Sequence, residues 1–227
     1  MSFRSLGFAI LAASFATLVG VAPARAVPVS PPATVLLSNV NSGGQSFTVG
    51  GLLFSFSACT GYCSSDVEIL GVPASPSTGA GGGIILQSVD SAPIVSGPAA
   101  QHDTTLYWTV SVISGGSING VSGSAVGTQG TGTGSIGTQI YNGPGYTVSP
   151  GTLTTPINVS TQALTLTLLQ SSLGMVSDIN VTSGGTTSIT TGTILISQVP
   201  EPASVAMLLA GVVGLAASRR KTSRLQA

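Results

Sequence analysis

The sequence predicts an all-β protein whose main part is an antiparallel β-sandwich, and three observations indicate this class. Apolar and polar residues alternate with a period of two through much of the chain between residues 27 and 198, as they do in strands with one buried face. Turn-forming pairs of Gly and Asn separate these runs. No long amphipathic helix appears between them. Roughly eight to eleven short antiparallel strands are expected, which implies a sandwich.

The individual strands follow from this alternation. The clearest is 105–112, where one apolar face is formed by Leu106, Trp108, Val110 and Val112. The run 163–168 alternates in the same way, with Leu164, Leu166 and Leu168 predicted to share the buried face. The other predicted strands are 34–38, 45–49, 52–57, 66–70, 83–87, 175–182 and 187–197.

Reversals between the strands are predicted at Gly and Asn pairs. Gly50-Gly51 joins two short apolar runs as a tight hairpin would. Three other reversals are expected, at Asn119-Gly120, Asn142-Gly143 and Ser183-Gly184-Gly185. The stretch 128–137 is rich in Gly, Thr and Ser, and this low complexity predicts an exposed loop, with a Gly-tolerant pair of strands as the alternative.

The charges of the chain are distributed very unevenly. All six basic residues lie near the two ends, and between residues 27 and 198 the only charged groups are Asp66, Glu68, Asp90, Asp103 and Asp178. A body with five carboxylates and no Lys or Arg has no means of neutralising phosphates. This composition excludes nucleic acid as a direct partner, while the many Val, Ile and Leu residues favour a folded core over disorder.

The N-terminus has the features of a secretory signal peptide. Arg4 provides a positive start, and an apolar run extends from Leu6 to Ala22. Ala24 and Ala26 then supply the small residues that signal peptidase requires at the third and first positions before its cut. We therefore expect residues 1–26 to form a signal helix that signal peptidase removes, so that the mature chain begins at Val27.

The C-terminus combines a short motif, an apolar segment and a basic cluster. The motif is Val199, Pro200, Glu201, Pro202, Ala203 and Ser204. The uncharged segment 202–218 follows, and as a helix of about 17 residues it would extend about 25 Å, slightly less than the hydrocarbon core of a bilayer. The chain then continues with four basic residues, Arg219, Arg220, Lys221 and Arg224. Because basic residues beside a spanning helix stay in the cytoplasm, the body would lie on the outer side of the membrane.

This three-part tail resembles the PEP-CTERM sorting signal of exported bacterial proteins. The resemblance covers residues 199–227 and implies that the chain is a substrate of exosortase, a membrane-embedded processing enzyme of bacteria that make exopolysaccharide. It also implies transient anchoring in the membrane, followed by a place at the cell surface or outside the cell. The organisation expected is a signal peptide (1–26), a sandwich domain (27–198) and a sorting signal (199–227). The body itself resembles, more loosely, an extracellular β-domain found before such tails, in the runs 47–49, 84–86 and 106–110.

Cys59 and Cys63 are the only cysteines of the chain. Export makes oxidation plausible, and the sequence predicts a local disulfide that shapes one loop. A metal site is the alternative, but two cysteines without a nearby His do not provide the four ligands that zinc usually takes. We expect no metal and no cofactor.

Catalytic constellations are not visible in the sequence. His102 and Asp103 are adjacent and would point to opposite faces of a strand, so a solvated pair is favoured over a catalytic dyad. Asp66 and Glu68 would share one strand face, which leaves a glycosidase pair or a Ca²⁺ ligand set open but weakly supported. There is no nucleophilic Ser motif, P-loop or dinucleotide fingerprint. The sequence therefore predicts a structural protein that is not an enzyme.

Four aromatic residues are the candidates for stacking on a sugar ring: Tyr107, Trp108, Tyr141 and Tyr146. Trp108 shares the apolar face of its strand, which favours a role in the core. The alternative function is a carbohydrate-binding module or adhesin that retains exopolysaccharide. Exposed coplanar aromatic rings would favour that alternative, whereas carboxylates clustered in a cleft would favour an enzyme.

Overall fold

The computed structural model describes residues 34–42, 44–73, 80–90, 93–96, 103–113, 116–181, 186–199 and 211. These residues form thirteen strands and one 3-10 helix, Leu37–Ser42. The strands are β1 (Thr34–Leu36), β2 (Gln45–Val49), β3 (Leu52–Gly61), β4 (Val67–Pro73), β5 (Ala80–Ser88), β6 (Val95–Ser96), β7 (Asp103–Val112), β8 (Ser117–Thr128), β9 (Gly134–Asn142), β10 (Gly151–Pro156), β11 (Gln162–Gln170), β12 (Ser172–Val181) and β13 (Ser188–Val199).

Two antiparallel sheets make up the body. The first sheet has seven strands in the order β1-β4-β5-β13-β8-β11, with the short β6 paired to β13. The second sheet has six strands in the order β10-β9-β12-β7-β3-β2. The predicted all-β class is confirmed, and the arrangement is consistent with a β-sandwich. The predicted signal helix and membrane helix lie outside the described residues, and within the described part of the chain no helix is long and apolar enough to cross a membrane.

Alternate residues of each strand form the core between the sheets. In β7 the side chains of Thr104, Leu106, Trp108 and Val110 are buried, while their neighbours are at least partly exposed. Trp108 has 0% of its surface exposed and stacks against Phe54 and Phe56 of β3, with ring centroids 6.0 and 6.3 Å away. The prediction of a core role for Trp108 is confirmed. Burying these aromatic rings contributes a large share of the apolar area removed from water.

Two asparagines connect the sheets at their margins. The Asn41 side chain donates to the carbonyl of Cys59 at 2.8 Å and accepts from its N–H at 2.7 Å, so it pairs with β3 as another strand would. Asn158, which has a positive φ of 57°, likewise makes two hydrogen bonds with the backbone of Gly127: its Nδ2 donates to the carbonyl, and its Oδ1 accepts from the N–H. Each amide satisfies backbone groups that would otherwise be left open at a sheet margin.

Several local predictions are wrong. Asn119-Gly120 was expected to reverse the chain but lies inside β8. Ile118 and Gly120 each pair with β13 on one side and with β11 on the other, so the strand continues through this dipeptide. Half of the predicted loop 128–137 belongs to strands, since β8 ends at Thr128 and β9 begins at Gly134, and only residues 129–133 connect them. Leu168 was placed in the core by alternation but is 68% exposed. The reason is an irregularity in β11: Thr165 pairs with Gly120 and Gln170 with Ile118, so residues 166–169 lie opposite Asn119 alone.

The strand directions define two ends of the sandwich. One end, named here the tail end, contains Val199, where β13 finishes beside Ser117. The start of β3 and the finish of β7 lie at the same end, since Leu52 pairs with Val112. The opposite end contains the turn after β5, the start of β7 and the Cys59–Cys63 loop. It is named here the acidic end, because Asp66, Asp90 and Asp103 lie there.

Candidate functional sites

The predicted sorting motif begins inside the folded body. Val199 is the last residue of β13 and pairs with Ser117, and Gln198 before it pairs with Ile118. The rest of the predicted tail, from Pro200 to Ser204 and the basic residues Arg219, Arg220, Lys221 and Arg224, lies outside the described residues, as do Ala24 and Ala26. The last paired residue of the sheet is therefore followed directly by Pro200-Glu201-Pro202.

A disulfide joins Cys59 and Cys63, whose Cα atoms are 6.1 Å apart. The loop that it closes is held against β7: the N–H of Tyr62 donates to the carbonyl of Asp103 at 3.0 Å, and Thr104 Oγ1 donates to the carbonyl of Tyr62 at 2.8 Å. Gly61 has φ +82°, and a Cβ there would collide with the Asp103 carbonyl oxygen. The loop therefore requires glycine at this position and fixes the start of β7.

Asp103 and Asp178 form a carboxyl pair on the outer face of the second sheet. They lie diagonally across β7 and β12, since Asn180 pairs with Asp103 and Asp178 pairs with Thr105. Burial, a hydrogen bond with Asp103 and the charge of Asp103 together raise the pKa of Asp178 from its ordinary 3.8 to about 6. The body has no Lys or Arg to neutralise this pair. The Asp178 carboxyl is therefore the one that holds a proton in mildly acidic solution.

The remaining carboxylates lie on or beside strands β4 and β5 of the first sheet. Glu68 on β4 accepts a hydrogen bond from Gln87 Nε2 at 2.7 Å. Asp66 lies in the turn before β4 and not on the strand itself, so the expected strand-face pair with Glu68 is not formed as predicted. Among the described residues, no group of three or more His, Cys, Asp or Glu side chains could hold a metal ion. His102 lies outside the described residues.

Three tyrosines form a cluster on the solvent side of the second sheet, named here the tyrosine face. Tyr107 on β7 and Tyr141 on β9 point outward, and Tyr146 from the loop after β9 lies between them. The Tyr146 ring is 6.4 Å from Tyr107 and 5.5 Å from Tyr141, at interplanar angles of 80° and 77°. All three side chains are partly exposed. The rings meet edge to face and are not coplanar.

Backbone features position the central tyrosine. Tyr146 has a φ of 51°, and its ring lies over Gly174 of β12, where a Cβ would come within 3.1 Å of the ring. Its hydroxyl donates to the carbonyl of Trp108 at 3.1 Å. The pKa of the Tyr146 phenol is raised above its ordinary value, chiefly by burial. A hydrogen bond with Ser57 lowers this pKa in part, and the nearby Tyr107 raises it further. The ring therefore remains a neutral donor and is held in one orientation.

The sequence identified these tyrosines as candidates but could not group them. Tyr107 and Tyr141 come together because β12 lies between β7 and β9, with Val176 paired to Tyr107 and Gly174 paired to Tyr141. The signal for Tyr146 was the Asn142-Gly143-Pro144-Gly145 turn before it, which returns the chain over the sheet. Polar neighbours on the same face include Gln139, Thr109 and Thr105, which are the kind of side chains that bind hydroxyl groups.

Comparison with known proteins identifies the tail. Residues 198–221 match the family model described as the PEP-CTERM protein-sorting motif. No curated protein matches the chain as a whole. The chain is similar to the solved structure of TmCBM61 in complex with beta-1,4-galactotriose, at 11% identity and a TM-score of 0.34, over 63% of this chain and 88% of that one.

A second similar structure is the enzymatically active domain of bacteriophage CBA120 tailspike protein 4. The identity is 10% and the TM-score 0.30, over 66% of this chain and 19% of that chain. The match therefore spans about a fifth of the length of the tailspike chain. Both TM-scores are too low to carry a functional inference.

The molecule is thus an all-β protein whose final described strand continues into a sorting segment. It carries the PEP-CTERM sorting motif at residues 198–221, and this match supports its being an exosortase substrate. The predicted resemblance is confirmed. The sorting signal marks the chain for export, to the cell surface or the extracellular space, with exosortase as its processing partner.

Proposed function

We propose that this protein is a structural, non-enzymatic component of the bacterial surface or extracellular matrix, anchored transiently by its tail and then processed by exosortase. The match of residues 198–221 to the sorting motif carries this proposal. A body with a continuous buried apolar core supports a structural role. Signal peptidase is proposed to remove residues 1–26 before the mature protein folds outside.

The experiment replaces the only charge between the body and the apolar segment. Glu201→Ala should leave export intact and stall tail removal, because the apolar segment and the basic residues that hold it remain. In wild type, loss of the spanning segment should reduce the mass by roughly 2–3 kDa, for about 25 residues. Mass spectrometry of the C-terminus shows whether the tail has been removed from the wild-type and Glu201→Ala chains.

Asp90→Ala is the matched control, since it removes one exposed carboxylate from the opposite end of the body. The control should be processed like the wild type. Equal processing of the Glu201→Ala chain would show that Glu201 is not recognised, and would leave the segment as a plain anchor.

A second candidate function is retention of exopolysaccharide by the tyrosine face. Three partly exposed tyrosines beside hydroxyl and amide side chains support it, because aromatic faces and hydrogen-bonding groups are what a sugar surface needs. The rings meet edge to face and do not form the coplanar platform expected for this function, so each ring would contact a sugar separately. Five carboxylates and no basic residue in the body favour a neutral polysaccharide over an anionic one.

Affinity electrophoresis through gels containing neutral polysaccharides tests this candidate. Tyr107→Ala combined with Tyr141→Ala should weaken binding to the polysaccharide roughly fivefold to 150-fold, from the loss of two aromatic contacts worth roughly 0.5–1.5 kcal/mol each. Tyr62→Ala is the matched control, because Tyr62 is exposed but lies on the disulfide loop away from the tyrosine face. Equal retardation of wild type and the double variant in every gel would remove this candidate.

A further inference from the structure

The sorting segment leaves the body without a linker. Val199 and Gln198 are paired to β8, and the matched motif starts at residue 198. Strand pairing and the start of the motif therefore overlap by two residues. Once the segment after Pro202 is held in a bilayer, only a few residues separate the tail end from the lipid surface, a reach of about 3.3 Å per extended residue.

Charge is distributed along the sandwich so that the tail end is neutral. Asp66, Glu68 and Asp90 lie beside the turn after β5, since Val67 pairs with Ser88. Asp103 and Asp178 lie in the half of the second sheet near the disulfide loop. All five carboxylates of the body thus lie away from Val199, toward the acidic end. An end without carboxylates can approach anionic headgroups without repulsion.

Large apolar side chains are exposed at the tail end. The irregular part of β11 turns Leu168 and Leu169 outward, 68% and 60% exposed, just before the chain crosses to the second sheet at Ser171. That crossing lies at the tail end, because the N–H of Val112 donates to the carbonyl of Ser171 at 2.9 Å. Ile113 and Val148 are also exposed at this end. Adjacent exposed leucines are costly in water and favoured at a lipid interface.

We infer that the tail end of the body is a membrane-contacting surface, with Leu168 and Leu169 inserted into the outer side of the bilayer while the tail is anchored. This inference rests on the anchoring proposed above and adds an orientation to it. The sandwich stands on its tail end, with the acidic end directed away from the membrane. The start of the sorting motif at Gln198 and Val199 is then held close to the lipid surface, within reach of a membrane-embedded protease.

The strength of this contact follows from the area that the leucines bury. Fully burying one Leu side chain is worth roughly 1.5–3 kcal/mol. Because Leu168 and Leu169 are 68% and 60% exposed, insertion adds about two thirds of this value, so each leucine favours the upright orientation roughly fivefold to thirtyfold. A lone anchor would let the body tilt freely about residue 200. Two inserted leucines on one side of Val199 restrict this tilting, so that the same side of the sorting motif faces the processing enzyme in every molecule.

Depth-dependent fluorescence quenching tests the inference in the full chain, reconstituted in phosphatidylcholine and phosphatidylglycerol vesicles. A tryptophan is introduced by Leu169→Trp and detected with lipids brominated near the headgroup end of their acyl chains. The native Trp108 is 0% exposed and buried between the sheets, so it contributes a constant background. The added emission of the Leu169→Trp chain should be largely lost on changing to brominated lipid.

Val89→Trp is the matched control, because Val89 is 52% exposed and lies at the acidic end. Its emission should not change with brominated lipid. Equal quenching of the two variants would show a body that lies on its side. If neither variant is quenched although the chains float with the vesicles, the tail is anchored but its end of the body does not touch the membrane. Either result overturns the inference. Chains that fail to float with vesicles would overturn the anchoring itself and the inference with it.

Discussion

The buried hydroxyl of Ser177 should be essential to the stability of the body. Ser177 is 0% exposed and accepts a hydrogen bond from Trp108 Nε1 at 3.0 Å, while its Oγ lies 3.1 Å from Thr138 Oγ1. Ser177→Ala removes one oxygen and leaves the indole N–H without an acceptor between two packed sheets. An orphaned buried donor costs roughly 1–3 kcal/mol. We expect a loss of about 2 kcal/mol, which lowers the Tm by about 4–8 °C in a domain of this size.

Denaturant unfolding of the oxidised mature protein measures this loss. Ser111→Ala is the matched control, because Ser111 lies on the outer face of the adjoining strand and pairs with Ser172, so its effect should stay within about 0.5 kcal/mol. Thr138→Val should cost less than Ser177→Ala, since it leaves the indole bond intact. A Ser177→Ala midpoint equal to that of Ser111→Ala would refute the argument from the buried network.

Three further predictions concern charge, oxidation and processing. The environment of Asp178 raises its pKa from the ordinary 3.8 to about 6, so between these pH values the folded state binds more protons than the unfolded state. The free energy of unfolding should therefore fall as the pH rises through this range, by on the order of 1 kcal/mol after solvent screening. Asp178→Asn should abolish most of this decrease in denaturant midpoints, and an unchanged pH profile would contradict the assignment. Cys59 and Cys63 should resist thiol alkylation in exported protein until a reductant is added, and full labelling of native protein would show free thiols. N-terminal sequencing of surface protein should begin at Val27, and an intact Met1 would exclude cleavage after Ala26.

Period-two alternation was sufficient for the fold class and for most strands, because each strand of a sandwich has one buried face. It located the hairpin at Gly50-Gly51 and the core position of Trp108. It did not predict β6, β8, β9 or β10, and it failed where pairing is irregular. Nothing in the alternation of Leu164, Leu166 and Leu168 shows that residues 166–169 lie opposite a single residue of β8, and this difference decides whether Leu168 is in the core or in solvent.

Candidate sites were predictable only where the chemistry is local. Cys59 and Cys63 are four residues apart, and the sorting motif is one continuous segment, so both were visible in the sequence. The pair of Asp103 and Asp178 depends on β7 lying beside β12, two elements far apart in the chain. The same applies to the tyrosine face, which requires β7, β12 and β9 in that order. Strand order in a sheet is set by packing of the whole domain, and single-strand patterns do not encode it.

The central place of β13 also determines when the body can fold. β13 is the last described strand in the chain, yet it pairs with both β5 and β8 in the middle of the first sheet. Until it emerges, that sheet exists only as two separate fragments, β1-β4-β5 on one side and β8-β11 on the other. Pairing over such long sequence separations is slow to form. The first sheet is therefore complete only after β13, the strand that leads directly into the sorting motif, has joined it.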